Sequence, residues 1–244
     1  ATNALGLVTV SGGFLNAPGR TLNIGSSAFG RGTFVQTGGT VSNSSTVVGN
    51  AYSSNGTLIL SNGLFNVAGS ITAGNFSNAF GRCQVDGGVL NLTGAITLGN
   101  VTNSGGAFVM SGGAVSNTGF NAGNMVTATG SVEITGGQLY TTGEFYLGHG
   151  SVSKGAVATF SMTGGKLTTT YRFIVGSYGS GTATISGGEV EALRNPATGG
   201  TDQSVVIGRD PGTFGRLEMT GGTLKGTNEL AIARDAGSTG TVYI

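Results

Sequence analysis

Residues 81–105 read GRCQVDGGVLNLTGAITLGNVTNSG, and this stretch decides the fold. Cys83, Val85, Leu90, Ile96 and Leu98 carry apolar groups at alternating positions, and Gly87-Gly88, Gly94 and Gly99 stand between the runs. Alternation of period two is the pattern of a strand with one buried face, and glycine clusters mark its turns. The line is therefore three short strands joined by glycine corners.

The same line recurs along the chain. Glycine pairs fall at Gly12-Gly13, Gly38-Gly39, Gly87-Gly88, Gly112-Gly113, Gly136-Gly137, Gly164-Gly165, Gly187-Gly188 and Gly221-Gly222, and Asn62-Gly63 fills the gap in the series. The step is about 25 residues, a period that belongs to solenoids and propellers. Propeller blades need about 40 residues, so the solenoid fits. A second glycine follows each pair by about twelve residues, from Gly25 and Gly49 to Gly208, with Ala233 as the last, substituted member. Nine full lines and a tenth that stops after GTVYI are countable.

Stacking the lines gives columns. Before the pair come Val8/Val10, Phe34/Gln36, Leu58/Leu60, Cys83/Val85, Phe108/Met110 and their successors to Leu217/Met219. After it, one inward residue per line runs from Leu15 and Val41 to Leu224, and the third strand adds pairs such as Ile71/Ala73 and Phe145/Leu147. The expectation is an all-β, right-handed parallel β-solenoid of about ten coils spanning residues 1–244 as one domain. At about 4.8 Å per coil it makes a rod about 45 Å long.

Composition agrees. There are 49 glycines, three prolines, no tryptophan and only 9% charged residues, with 38% apolar and a positive mean hydropathy. Disorder requires lower hydrophobicity, and collagen requires a Gly-X-Y triplet and more proline. Net charge is +1, which favours neither nucleic acid nor membrane as a partner. No apolar run reaches the length of a spanning helix, and ATNAL at the start is not a signal peptide. One cysteine excludes an internal disulfide framework. Before Met125 the only charged residues are Arg20, Arg31, Arg82 and Asp86.

A line of the form G-x-h-x-h-[ST]-G-G-x-h…h-x-h-[GA], with h apolar, is seen in residues 130–148 and 215–233. It resembles the glycine-rich repeats of type V secretion (autotransporter) and PEP-CTERM-associated bacterial surface proteins. The resemblance covers the whole chain and implies an extracellular or cell-surface location. Asn62, Ala158 and Ala233 depart from it, and no translocator barrel or sorting tail is present.

Side chains with chemistry are few. Asn50, Asn75, Asn100 and Asn124 follow the third-strand glycine in four successive lines, an asparagine ladder whose amides bond from coil to coil. The residue before each pair is short and polar, as turns favour. His149, the only histidine, takes the next place on the asparagine column, without the partners of a triad or metal site. Cys83 lies among inward residues and reads as a buried inert thiol. Glu189 and Glu191 are the best carboxylate pair for glycoside hydrolysis. Lys166 beside Glu189, Lys225 beside Glu191 and Glu144 beside Arg172 read instead as cross-coil ion pairs. Calcium β-rolls need an aspartate in every turn, and this chain has four aspartates in all. The Asn-x-Ser/Thr sites at Asn43, Asn55, Asn75, Asn91 and Asn100 read as by-products of the turns.

Two features stand apart. The eighth line carries an insertion, Leu193–Gln203, which includes Arg194 and Asp202, and solenoid insertions map to loops that often bind a partner. Beside it an outward column of Tyr146, Ile174, Val206 and Ala231 reads as an exposed contact strip or a patch the loop covers. No cofactor and no enzymatic activity are expected. The terminal strands, with Leu7, Val8 and Val10 at one end and Thr241, Val242, Tyr243 and Ile244 at the other, match in register. They are the expected interface for head-to-tail homopolymerisation, against the alternatives of further repeats or shielding tails. The other expectation is an adhesin binding surface glycans through the Leu193–Gln203 loop and Tyr146, Tyr171 and Tyr178.

Overall fold

A computed structural model of the chain describes residues 4–150, 155–193 and 204–244. Within these residues every regular element is a β-strand and every pairing is parallel. The strands stack as a solenoid of nine turns plus a first strand of a tenth. One face is a ten-stranded sheet running from Leu5–Val10 through Arg31–Gln36 and Asn55–Leu60 to Thr239–Tyr243. The other two faces join into a sixteen-stranded sheet.

Each strand pairs with its counterpart one coil away, in register except for one shift between Ala17 and Thr21 in the first coil. Phe34 lies opposite Leu58, Leu58 opposite Cys83, Cys83 opposite Phe108 and Phe108 opposite Val132. The expected inward columns are thus real columns, and they fill one apolar core along the rod. A one-residue slip in any coil would turn its apolar set to solvent, so alternation alone pins the register. On the third face three consecutive coils contribute Phe120, Phe145 and Phe173. The first two rings stack at 4.5 Å and the last two lie 5.6 Å apart. Gln36 is the polar exception among the inward residues of the first face. Its Nε2 donates to the carbonyls of Gly39 and Leu64 at 3.0 and 3.1 Å, which is what makes its burial tolerable.

Two glycine positions explain the corner geometry. The second glycine of each pair is left-handed, as at Gly88 with φ +73 and Gly113 with φ +75, where an L side chain is strained. In most coils the inward glycine of the first-face strand meets the third-face strand at close quarters, Gly6 in the first coil being open. A Cβ on Gly106 would sit 2.7 Å from Leu98 Cα and 2.8 Å from Gly99 N. Ala158 occupies that column in the seventh coil and is buried.

The three-strands-per-coil expectation needs one correction. In the first two coils the second and third strands are continuous, as Phe14–Ile24 and Thr40–Val48. Where later coils have Ala68-Gly69-Ser70 or Thr93-Gly94-Ala95 at this corner, the second coil has Ser44-Ser45 and no glycine. The buried Asn43 amide bridges the bend, donating to Ser45 O at 2.5 Å and Thr46 Oγ1 at 2.9 Å. The chain therefore bends without leaving the ladder.

Candidate functional site

The corner after each third-face strand carries the densest side-chain chemistry. A left-handed glycine turns the chain there, for example Gly49 with φ +74 and Gly74 with φ +72. The next residue donates its backbone N–H to the glycine one coil earlier, as Asn75 does to Gly49 and Asn100 to Gly74, both at 2.9 Å. This fixes the backbone of the column, and the side chains stack upon it. Nδ2 of Asn75 donates to Asn50 Oδ1 at 2.9 Å, Asn100 to Asn75 at 2.8 Å and Asn124 to Asn100 at 2.9 Å.

The ladder is longer than the four asparagines read from the sequence. Below it Asn50 donates to Asn23 Oδ1 at 2.8 Å, and above it His149 Nδ1 lies 2.8 Å from Asn124 Oδ1. Asn23 stands on a third-face strand, two residues before Gly25, where Ser26 occupies the ladder's own position. No column signal could have found it. Every amide in the series donates toward the N-terminal coil, so Asn124 Oδ1 is left to accept. His149 must then hold its proton on Nδ1, which leaves Nε2 as the bare nitrogen. Burial, together with the positive charge of Arg209, lowers the His149 pKa from its ordinary 6.5.

Beyond His149 the same column continues as Ser177, Arg209 and Arg234, and charge replaces amide. Arg209 Nε donates to Asp210 Oδ2 at 2.7 Å, and its guanidinium lies over two rings, 5.4 Å from the centroid of Tyr146 and 5.1 Å from that of Tyr178. The Tyr146 hydroxyl donates to Glu144, and the His149 ring meets the Tyr146 ring edge-on at 4.4 Å. Glu144 is in turn held by Arg172 at 3.2 Å. Burial, then the hydrogen bond to Glu144, pushes the Tyr146 hydroxyl up to about 12. Each acid in this network has a basic partner: it is a charge-balanced clasp across three coils.

The outward strip of Tyr146, Ile174, Val206 and Ala231 does form one column. It is not an exposed contact surface, however. Ile174 and Val206 are fully buried and Ala231 nearly so. Alternation dictates which way a side chain points, and solvent is not the only thing that can lie on the outer side. Arg194, Asp202 and the rest of the Leu193–Gln203 insertion after Leu193 fall outside the described residues.

Glu189 and Glu191 do point outward, and both are engaged. The contacts run diagonally: Lys166 reaches Glu191 at 2.8 Å and Glu189 at 3.6 Å, while Lys225 reaches Glu189 at 2.5 Å. The direct neighbours in register, Lys166 with Glu189 and Glu191 with Lys225, are thus not the tightest pairs. Lysine is long enough to prefer the diagonal. Cys83 is fully buried, and loss of hydration pushes its thiol up to about 12, so it is held neutral. Among the described residues no cluster of His, Cys, Asp and Glu is placed to hold a metal ion.

At the two ends of the rod, residues that point to the core axis are uncovered. Val8 and Leu15 in the first coil are 49% and 41% exposed, and Leu230 and Ile232 in the ninth are 49% and 48% exposed. An open pocket of about 290 Å³ lies under the first coil, lined by Val8, Leu22, Ile24 and Phe34 among others. Val10 and Val242 pack against the core, whereas Leu7, Tyr243 and Ile244 are exposed, with Arg216 over the Tyr243 ring at 4.9 Å. No family model, curated protein or solved structure matches the chain.

Proposed function

We propose that this chain is a structural repeat protein of the cell surface or extracellular space that associates with copies of itself end to end. The observation that carries the reading is the parallel stack itself, in which the strand edge of each coil is completed by the corresponding strand of the next. Among the described residues, inward side chains of the first and ninth coils are partly uncovered, and the strands Leu5–Val10 and Thr239–Tyr243 each pair on one edge. Both are first-face strands with the same inward alternation, Val8 at one end and Val242 at the other. An unpaired strand edge over uncovered apolar groups is a template for another strand. Because the two ends differ, the contact is heterologous and propagates as a fibre. The likeness of the repeats to those of bacterial surface proteins supports the location.

Negative-stain microscopy across a concentration series tests the proposal. Rods that lengthen in whole multiples of one subunit, and remain single in a Val8→Lys, Val242→Lys variant, are the expected result. Single short rods at every concentration would overturn it.

A further inference from the structure

The first four coils carry four exposed aromatic side chains on one edge of the rod. Phe29, Tyr52 and Phe76 lie in successive turns of the third corner, and Phe80 opens the adjoining first-face strand. Their exposures are 45%, 45%, 50% and 42%, far above those of the buried core phenylalanines. The Phe29 and Tyr52 rings meet edge-to-face at 5.7 Å. The Phe80 ring lies over Gly105, where a Cβ would approach it within 2.9 Å.

Phe29 is also strained. Its φ is +59, a left-handed conformation that bulky side chains avoid. Equivalent corner positions in later coils hold Asn78, Asn103 and Thr127. Thr127 at least recovers hydrogen bonds there, with its Oγ1 bonded to Asn103 Oδ1 and to Val126 O at 2.5 and 2.6 Å. The Phe29 side chain can make no such hydrogen bond, and its ring, packed edge-to-face on Tyr52, stays 45% exposed. A strained, exposed, bulky residue points to use rather than to folding.

The surroundings select the ligand. Rings alternate with polar groups, Ser53 and Ser77 among them, so the apolar surface is broken rather than one continuous patch of the kind a protein partner covers. Few charges lie in this half of the rod, and the flanking asparagine amides are mutually bonded and neutral. Aromatic faces carry a negative quadrupole that polarised C–H groups approach favourably. We propose that Phe29, Tyr52, Phe76 and Phe80 form an aromatic strip for an uncharged polysaccharide lying along the rod axis, its sugars packing against the exposed parts of the rings. This strip begins in the first coil and runs up the outside of the rod, and binding to it does not depend on self-association.

Native gel electrophoresis in gels containing soluble neutral polysaccharides (a mixed-linkage β-glucan, a galactomannan and a dextran), with polygalacturonate as the charged comparison, tests this. Retardation by at least one neutral polymer is expected, weakened about three- to tenfold by Tyr52→Ala or Phe76→Ala. Phe29→Asn supplies the discriminating variant, because asparagine already sits in this conformation at Asn78 and Asn103. It should weaken retardation while leaving Tm unchanged or higher. A fall in Tm of more than about 3 °C would mark the ring as structural and overturn the assignment. So would retardation by polygalacturonate alone, by none of the polymers, or to the same extent in all variants. A change of oligomeric state in Tyr52→Ala would assign the rings to contacts between copies, and would equally overturn it.

Discussion

Removing one amide from the middle of the asparagine ladder should hurt more than removing its end. Asn75 gives its Nδ2 to Asn50 and receives the Nδ2 of Asn100, so Asn75→Ala deletes two hydrogen bonds, of 2.9 and 2.8 Å. His149→Ala deletes one, at 2.8 Å. With a net value of about 1 kcal/mol per bond, the interior change should destabilise by about 2 kcal/mol and the terminal one by about 1 kcal/mol. In a chain of this size that corresponds to Tm shifts of about 4–8 °C and about 2–4 °C. The double variant Asn75→Ala, Asn100→Ala is the sharper test. Each single change deletes two bonds, but the pair shares one, so together they delete three. Additivity should therefore fail by about 1 kcal/mol in a urea-unfolding cycle. A strictly additive double variant would show that the amides are solvated individually and that the ladder contributes nothing as a ladder.

Two further outcomes follow from the corners. Gly106→Ala places a methyl 2.7 Å from Leu98 Cα and should lower stability by about 1–3 kcal/mol. Ala158→Gly, in the same column, should change it by only about 1 kcal/mol, and equal urea midpoints for Gly106→Ala and the unaltered chain would refute the close-approach argument. The second outcome concerns pH. The folded chain holds His149 below its ordinary 6.5, so the unfolded chain binds that proton first as pH falls. Stability from this group is complete above about 6.5 and declines as pH drops through it. Asp235 and Glu189 are displaced downward by their bonds to Arg234 and Lys225, so their contributions persist until pH falls below their ordinary 3.8 and 4.5. The windows are separate. A Tm-against-pH curve should fall as pH drops below the ordinary 6.5 of histidine, and His149→Asn should flatten it there; an unchanged slope in the variant would refute the assignment.

The core was legible because alternation and glycine spacing say which side chains share a column, and parallel in-register pairing adds nothing to that. Phe34, Leu58, Cys83 and Phe108 could be aligned by eye, and they pair in that order. The asparagine column was legible for the same reason. What escaped is whatever departs from the column. Asn23 joins the ladder from a strand position, and Phe14–Ile24 runs through a corner where other coils break. Ile174 and Val206 read as outward, which is correct, and as either an exposed contact strip or a covered patch, of which their burial rules out the first. Direction is a local property of the strand, whereas cover depends on chain far away in sequence. The strain at Phe29 was invisible for a related reason: left-handed corners are announced by glycine and asparagine, and a phenylalanine there gives no warning.

The in-register pairing has a consequence for how such a chain tolerates change. From Ser180 to its partner Phe214 the chain is longer than from Asn55 to Phe80, yet both pairs align without a shift, and Glu189 still faces Thr223. In sequence the additional residues fall between the strand that ends at Ala192 and the one that begins at Val205. Lengthening a corner changes closure entropy by only about 0.6 kcal/mol for each doubling, while the hydrogen bonds that specify position lie within the strands. Corners can thus gain or lose residues while every column keeps its members. Sequence length is decoupled from axial position, and new segments can be fixed at chosen heights along the rod without rebuilding it.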